Sequence, residues 1–420
     1  MAGVCYSAGA VRTVSQLIGN SNSGDDVMER IIFFACLCVL MAGLPSCATP
    51  STSTPELIST LVPTPIPTNT SSPDPNITLD RGNIQRTGVY DVPALRHQPE
   101  ILWQTKVSST WLMPAMLADG MLYTGSGDGV LYALNAETGE IMWSAEGFEA
   151  LESTGAIAGD IIVTGGFSRL VQAFERHTGN VLWTYRSGYP VQGSPLIVED
   201  RVFIATDHAV YALELQTGKL IWQAATGNEN AFMGAPAYDN GVIYTTGGKL
   251  LLALDGETGK ELWRVEKDAA FLGVAVADRQ VYVGNWDLNL YAFDQSTGEE
   301  RWRFKGKGEF WSAPAVHANI VYAGNIDQFL YAINSQTGEL LWSYKTGGDA
   351  VSEPLIADDV VYVSDSSHLF PRGPRHLYAF NALTGEELWM FESVGTFLPA
   401  PTLGNGIIYV TSTGDVLALK

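Results

Sequence analysis

Cysteine is nearly absent from this chain. Its four cysteines are Cys5, Cys36, Cys38 and Cys47, and none follows residue 47. Over most of its length the chain therefore has neither a disulfide framework nor a cysteine-based zinc site. The long remaining part is large enough to be held together by its own apolar core.

Basic residues are also scarce. The chain has 24 Lys and Arg against 45 Asp and Glu, which gives a formal net charge of −21. This balance argues against binding to nucleic acid and against electrostatic docking to anionic lipid. The sequence also contains no G-x-S-x-G, phosphate-loop or zinc motif, and its six histidines are scattered. We therefore expect a protein that is not an enzyme.

Long apolar runs are lacking except for one of 14 residues, from Ile31 to Leu44, which follows Met28. The run is too short for a mature membrane-spanning helix and suits a signal peptide. It ends in Leu44-Pro45-Ser46-Cys47, which resembles a bacterial lipobox with Cys47 as the lipidated residue. Residues 1–47 are thus predicted to be an N-terminal extension and lipoprotein signal peptide that starts at Met28. A plain secretory signal and a retained single anchor are the alternatives.

The next segments differ in composition. Residues 48–77 are rich in Ser, Thr and Pro, which cannot bury enough apolar surface to order themselves, and they read as a tether. Residues 78–98 contain Arg81-Gly82-Asn83 and Arg86-Thr87-Gly88 and are predicted to be a lead-in that lies against the following domain.

A repeat dominates residues 99–420. Seven times an Ala is followed after six residues by a Gly and after four more by a Trp, and Thr precedes each Gly. From Trp143 to Trp389 the successive Trp spacings are 40, 39, 41, 39, 40 and 47. Periods of this size indicate a solenoid, a propeller or an array. The eight tryptophans predicted to be structural are Trp103, Trp143, Trp183, Trp222, Trp263, Trp302, Trp342 and Trp389.

Each repeat contains four short β-rich runs around two turns, as expected for one blade of a β-propeller. Trp103 lies 40 residues before Trp143 but has no T-G turn in front of it. The strand that this Trp lacks is found at the other end of the chain, in Val416–Leu419. We therefore predict an all-β, eight-bladed propeller of four-stranded antiparallel blades, closed by strands from both termini.

The segments Leu131–Trp143, Leu290–Trp302 and Leu377–Trp389 resemble the PQQ-type (pyrroloquinoline-quinone type) repeat. That family includes quinoprotein dehydrogenases and the outer-membrane assembly lipoproteins of the BamB type. The resemblance implies the propeller fold strongly and chemistry weakly, because most repeat positions build blades. Quinoprotein dehydrogenases are expected to carry an adjacent cysteine pair, which the repeat region lacks. PQQ with calcium is accordingly expected only under the less favoured enzyme interpretation.

Two sets of side chains are expected on one face of the ring, the face that bears the loop between the second and third strands of each blade. Acidic turn residues and aromatic residues before the inner strands would together form a funnel there. Turn geometry is the simpler explanation for the acidic residues, and packing at the channel mouth is the simpler one for the aromatics. As a partner or ligand face, the candidates are Trp111, Phe232, Phe271, Trp286, Phe310, Trp311, Phe397, Asp287 and Asp327.

One insertion breaks the repeat between Tyr362 and Tyr378 and explains the Trp spacing of 47. It adds basic and aromatic side chains to an acidic chain, and either a recognition loop or a tolerated surface loop fits this pattern. Its candidate contact residues are His368, Arg372, Arg375 and His376.

We expect a monomeric, lipid-anchored, extracytoplasmic protein-binding scaffold. We predict no cofactor and no nucleic-acid partner. We expect the protein to contact the membrane only through its lipid. A quinone-dependent dehydrogenase and a cell-surface ligand sensor are the alternative functions.

Overall fold

The computed structural model describes residues 56–57, 77–147, 150–151, 153–227, 234–348, 350–366, 375–393 and 399–420. Cys47 and the predicted signal region lie outside the described residues, as does nearly all of the tether. The described residues form strands and no helix, so none of their segments is a helix that would suit a membrane crossing.

Four strands precede the first complete blade. They are β1 (Glu56–Leu57), β2 (Ile77–Thr78), β3 (Val89–Tyr90) and β4 (Ile101–Trp111).

Blades 1 to 4 each contain four antiparallel strands in sequence order. Blade 1 comprises β5 (Met116–Ala118), β6 (Met121–Gly125), β7 (Val130–Asn135) and β8 (Ile141–Glu146). Blade 2 comprises β9 (Ala156–Ala158), β10 (Ile161–Gly165), β11 (Leu170–Glu175) and β12 (Val181–Arg186). Blade 3 comprises β13 (Leu196–Val198), β14 (Arg201–Ala205), β15 (Ala209–Glu214) and β16 (Leu220–Ala225). Blade 4 comprises β17 (Ala237–Asp239), β18 (Val242–Gly247), β19 (Leu250–Asp255) and β20 (Glu261–Glu266).

Blades 5 to 7 repeat this order, and blade 7 carries one additional short strand. Blade 5 comprises β21 (Phe271–Ala277), β22 (Gln280–Asn285), β23 (Asn289–Asp294) and β24 (Glu300–Lys305). Blade 6 comprises β25 (Ala315–His317), β26 (Ile320–Gly324), β27 (Phe329–Asn334) and β28 (Leu340–Lys345). Blade 7 comprises β29 (Ala350–Val351), β30 (Leu355–Ala357), β31 (Val360–Ser366), β32 (Arg375–Asn381) and β33 (Glu387–Ser393).

Blade 8 joins the two ends of the ring. Its strands are β34 (Thr402–Gly404), β35 (Ile407–Thr411), β36 (Thr413–Leu419) and, as the outer strand, β4. β36 pairs antiparallel with β4, and Ala418 lies opposite Trp103. The predicted eight-bladed ring and its closure by both termini are confirmed. Closure leaves no open edge between the first and last blades.

The Ala, Gly and Trp that recur in each repeat have contacts that explain them. In blade 3, Ala212 lies opposite Trp222, and a bulge follows between Ala212 and Leu213. Gly218 has φ +68°, and an added Cβ would lie 2.5 Å from the Trp183 ring of the preceding blade. The indole Nε1 of Trp183 donates a hydrogen bond of 2.8 Å to the carbonyl of Leu215. The Gly thus allows both the left-handed turn and the close approach of the indole.

The same contact recurs at seven of the eight blade interfaces. All eight structural tryptophans donate from Nε1 to a carbonyl at 2.8–3.1 Å, and for all but Trp389 that carbonyl belongs to the next blade. Four of these side chains are buried and the other four are half-buried. An indole that buries its apolar surface and also satisfies its N–H stabilises the blade interface on both counts. The tryptophans therefore have the structural contacts that the repeat predicts.

Blade 8 lacks a T-G turn, and the lead-in supplies the missing contact. Trp389 donates to the carbonyl of Leu95 at 2.9 Å, where other blades offer a turn carbonyl. Tyr362 fixes the same residue twice, since its hydroxyl accepts from Leu95 N–H and donates to Leu95 O. Leu95 thus completes the interface between blades 7 and 8.

The lead-in lies along the axis of the ring. β2 pairs with the inner strand β9, and β3 runs parallel to the inner strand β30. Between them, the carbonyls of Ile84, Gln85 and Thr87 accept hydrogen bonds from the inner strands of blades 4, 5 and 6. The lead-in thereby satisfies backbone groups of blades on both sides of the axis. A cavity of about 1290 Å³ remains beside β5 and β34.

Two buried arginines hold the lead-in. Arg86 is 1% exposed, and its guanidinium donates to the carbonyls of Pro236, Ser194 and Pro195 at 2.9–3.1 Å. Arg81 is 2% exposed and donates to carbonyls that precede β25. Burial lowers the pKa of Arg86, and Asp80 opposes this by raising it. Each guanidinium donates hydrogen bonds to several carbonyls at once and so takes the place of water at all of them. The ammonium group of a lysine could not do this.

Arg86→Ala is expected to lower the free energy of unfolding by roughly 3–5 kcal/mol, because it leaves buried carbonyls without donors. Chemical denaturation measures the loss. Arg96→Ala is the matched control, since Arg96 also belongs to the lead-in but is exposed, and it should cost less than about 1 kcal/mol. An Arg86→Ala curve that overlays the Arg96→Ala curve would contradict the bracing role of Arg86.

Candidate functional site

The antiparallel strand order divides the connections between two faces of the ring. The turn between the first and second strands of a blade shares one face, here the turn face, with the T-G turn. The loop between the second and third strands shares the opposite face, here the loop face, with the connections between blades. The candidate contact residues were expected on the loop face, and those among the described residues are taken in turn below.

Two tryptophans are exposed on the loop face. Trp111, at the end of β4, is 39% exposed, and Trp311, in the connection into blade 6, is 40% exposed. The Trp111 ring lies over Gly127, where an added Cβ would be 2.4 Å away. Trp311 donates from its indole to Glu309 and lies 6.0 Å, between ring centroids, from Trp286. These indoles are held in place yet remain available, as contact residues require.

A further aromatic pair was missed by the sequence analysis. Tyr189 is 39% exposed and stacks on His208, with 3.9 Å between ring centroids and 8° between planes. Tyr189 lies in the connection between blades 2 and 3, and His208 lies in the loop between β14 and β15. Both occupy the types of loop already singled out, so a search of the whole connection for aromatics would have found Tyr189.

Phe271 and Phe310 were expected on the contact face, and for these two residues the prediction is wrong. Both side chains are fully buried. Phe271 begins β21 and packs edge-on against Tyr291, with 6.1 Å between centroids. Phe310 packs against Phe304 and Tyr331. An apolar side chain here turns into the blade and away from solvent, because burial of its ring is favourable.

Asp287 and Asp327 lie on the loop face and have the contacts of turn residues. The Asp287 carboxylate accepts from Asn289 N–H at 3.0 Å and from the Tyr291 hydroxyl at 2.5 Å. Burial raises the pKa of Tyr291, and the hydrogen bond to Asp287 raises it further.

Asp327 makes the equivalent pair of bonds, to Phe329 N–H at 3.0 Å and to the Tyr331 hydroxyl at 2.6 Å. It also accepts from Lys307 N–H at 3.0 Å. These contacts match the simpler interpretation, in which a favourable turn is duplicated from blade to blade.

The base of the insertion is a strand pair, not a loop. Asp365 ends the buried part of β31, and Arg375 and His376 begin β32. Asp365 is 1% exposed and Arg375 is 3% exposed, so neither can contact a partner in this conformation. The prediction that Arg375 lies in an accessible loop is therefore wrong. The strands β31 and β32 are longer than the repeat predicts.

Asp365 is the hub of that base. Its carboxylate accepts from the His376 backbone N–H at 2.7 Å, contacts His376 Nδ1 at 2.9 Å, and accepts from the Tyr378 hydroxyl at 3.1 Å. Tyr378 in turn accepts from Gly347 N–H at 3.0 Å. Burial raises the pKa of Tyr378, and the nearby Asp365 charge adds to this effect. His376 is thus positioned as part of a structural network.

The remaining candidates lie outside the described residues. They are Phe232, Phe397, His368 and Arg372.

The quinoprotein resemblance implies PQQ with calcium. The described residues contain no group of three or more His, Cys, Asp or Glu side chains that could hold a metal ion. Calcium is usually held by several oxygen ligands with carboxylates among them. Along much of the axis, moreover, the lead-in itself occupies the space between the inner strands.

Comparison with known proteins gives a family match. The family described as "Outer membrane protein assembly factor BamB" matches residues 91–233 and 210–309, which together span more than half of the 420 residues.

Solved structures share the fold. The crystal structure of BamB from Moraxella catarrhalis has a TM-score of 0.63 at 23% identity and covers 77% of this chain and 100% of that chain. Quinohemoprotein alcohol dehydrogenase from Comamonas testosteroni has a TM-score of 0.67 at 12% identity and covers 81% and 80%. At these identities the likeness carries the fold alone.

A curated relative matches only part of its own length. Tetrathionate hydrolase from Acidithiobacillus ferrooxidans is 24% identical over 189 residues, which is 38% of this chain and 30% of that protein. Because less than a third of the hydrolase is aligned, the match does not carry its activity to this chain.

Asp365→Ala should lower the free energy of unfolding by roughly 2–4 kcal/mol, because it leaves several buried donors without an acceptor. Urea denaturation followed by Trp fluorescence measures the change. Asp358→Ala, at a more exposed turn of the same blade, is the control. If the two variants unfold at the same urea concentration, the Asp365 network does not support blade 7.

Proposed function

Because the chain belongs to the outer membrane protein assembly factor BamB family, we propose that it is a non-catalytic protein-binding scaffold. In this proposal it is lipid-anchored through Cys47, lies outside the cytoplasm, and acts as a single propeller without a cofactor. A protein partner contacts the loop face. In a cell with an outer membrane, its role would be in the assembly of proteins of that membrane.

The exposure of Trp111 and Trp311 on the loop face is the observation that carries the proposal. Most large apolar side chains of the ring are buried, so exposed indoles at fixed positions are costly unless a partner covers them. Tryptophan is also among the residues that contribute most to protein–protein binding. The rigid ring holds these indoles with little conformational freedom to lose on binding.

Site-specific photo-crosslinking tests this face. A photoreactive phenylalanine at position 311 or 111 should yield the same crosslinked protein in the envelope of the source cell. Position 383 is the control, because Leu383 is 54% exposed but lies at a T-G turn on the turn face. Trp111→Ala combined with Trp311→Ala should weaken capture of the identified protein at least tenfold without lowering the melting temperature by more than a few degrees. Identical products from all three positions, or none from 111 and 311, would remove the loop face as a contact site.

The enzyme alternative makes a different prediction. If the chain were a quinone-dependent dehydrogenase, adding PQQ and calcium to the purified protein should shift the visible spectrum of the quinone in a saturable way. We expect no saturable shift.

Anchoring is tested at Cys47. Cys47→Ala should move the protein from the membrane fraction to the soluble fraction, or leave its precursor unprocessed, because the thioether-linked lipid can no longer form. Cys38→Ala is a matched control, since it lies inside the apolar run and should not change fractionation. Fractionation and incorporation of labelled lipid measure both variants. Lipid labelling that survives in Cys47→Ala would disprove the anchor.

A further inference from the structure

The outer strands of four consecutive blades begin with a pair of exposed aliphatic residues. Each of these eight side chains is between 41% and 55% exposed. The pairs, called here the aliphatic doublets, are Ile101–Leu102 in blade 8, Ile141–Met142 in blade 1, Val181–Leu182 in blade 2 and Leu220–Ile221 in blade 3. Single exposed aliphatic residues are ordinary on a protein surface, but a periodic series along one arc of the ring is not.

The doublets are not a requirement of the fold. At the same positions blade 4 has Glu261–Leu262, blade 5 has Glu300–Arg301 and blade 7 has Glu387–Leu388. These blades close equally well with a charged residue at the start of the outer strand. The apolar choice in blades 8, 1, 2 and 3 therefore has a cause other than blade packing.

Blade 6 has the same kind of doublet, Leu340–Leu341, but there both residues are half-buried. At this blade the short strand β1 adds to the outer edge of β28. The pairing is antiparallel, with Glu56 opposite Ser343 and Leu57 opposite Trp342. An extended segment is thus seated on an outer strand just beyond its doublet.

We propose that the outer edges of β4, β8, β12 and β16 bind an extended protein segment by strand addition. In the described part of the chain, each of these four strands ends its sheet without an outer neighbour. Such an edge offers a row of N–H and C=O groups that a further strand can pair with. Main-chain hydrogen bonds hold the segment, and aliphatic side chains on its two faces cover the two residues of a doublet, which point to opposite faces of the blade.

A lipid surface fits this rim less well than a strand does. In blades 1, 2 and 3 the T-G turn beside the doublet extends further toward the turn face, and in blade 1 it exposes Glu137 and Glu140 next to Ile141. A membrane that reached the doublet would first have to accept these carboxylates, which an anionic leaflet repels. A strand that runs along the outer edge of the blade avoids them. This surface is separate from the loop face. Strand binding here can therefore fail while the proposed function holds, and the reverse is also true.

The probe is a labelled peptide of four Thr-Val repeats with a Lys tail, and the protein is the full chain. Fluorescence anisotropy measures its binding against a twin peptide in which alternate backbone nitrogens are methylated. The twin keeps the side chains but cannot donate along one edge, so it should bind at least tenfold more weakly. A variant with Ile141, Met142, Val181 and Leu182 all changed to Ser should also lose affinity for the unmodified peptide at least threefold. Leu383→Ser, which removes one equally exposed aliphatic residue away from the edges, should change the affinity less than twofold.

Equal binding of the methylated twin would overturn the proposal, and this comparison uses only the unmodified protein, so it does not depend on whether the quadruple variant folds. Two other results would also overturn it by assigning the doublets to another occupant. One is cosedimentation with phosphatidylcholine vesicles that the quadruple variant abolishes. The other is a dimer in sedimentation velocity that the same four substitutions disperse.

Discussion

The rest of the structure depends on one contact, in which the indole of a blade lies against the T-G turn of the next and donates to a carbonyl there, at every interface but the one between blades 7 and 8. A Gly at φ near +70° is needed twice over, for the turn and for the space under the ring. In blade 2, for example, a Cβ on Gly179 would come within 2.7 Å of the Trp143 ring. Because each contact is local to one pair of blades, stability accumulates from neighbour to neighbour around the ring. The inner strands, the channel and both faces acquire their positions from this repetition.

A ring held by contacts between neighbouring blades needs every interface, including the one between blades 7 and 8. That interface differs from the others. The outer strand of blade 8 is β4, which is far from β36 in sequence, so these two strands are not joined by a T-G turn that could receive Trp389. Leu95 serves instead, fixed by the hydroxyl of Tyr362. The same segment carries Arg81 and Arg86 into the axis, where they bind carbonyls of three blades. The lead-in therefore both completes the interface between blades 7 and 8 and fills the centre of the ring. It is part of the folded domain.

The sequence predicts positions that repeat far better than positions that do not. The spacing of Ala, Gly and Trp predicted the blade count and the closing strands, because each blade meets the same packing demand. Orientation within a connection has no such periodic constraint. Phe310 and Trp311 are adjacent, yet the first is buried and the second is 40% exposed. Both are aromatic, so composition alone gives no sign of which side chain faces the blade. The insertion was misjudged for a related reason, since nothing in the spacing shows that β32 begins as early as Arg375.

The contacts that these side chains make also bear on the kind of function that the ring can support. Three carboxylates of the loop face are engaged in structure: Asp287 and Asp327 bind their own turns, and Asp365 joins two strands. Each of these carboxylates accepts hydrogen bonds from a backbone N–H and from a tyrosine hydroxyl. The accessible groups include apolar ones at repeated positions, with indoles on the loop face and aliphatic pairs on the outer edges. Apolar groups at fixed positions recognise surfaces by shape and burial and perform no bond chemistry. The described residues therefore offer apolar contact surfaces at two separate places, the loop face and the outer edges.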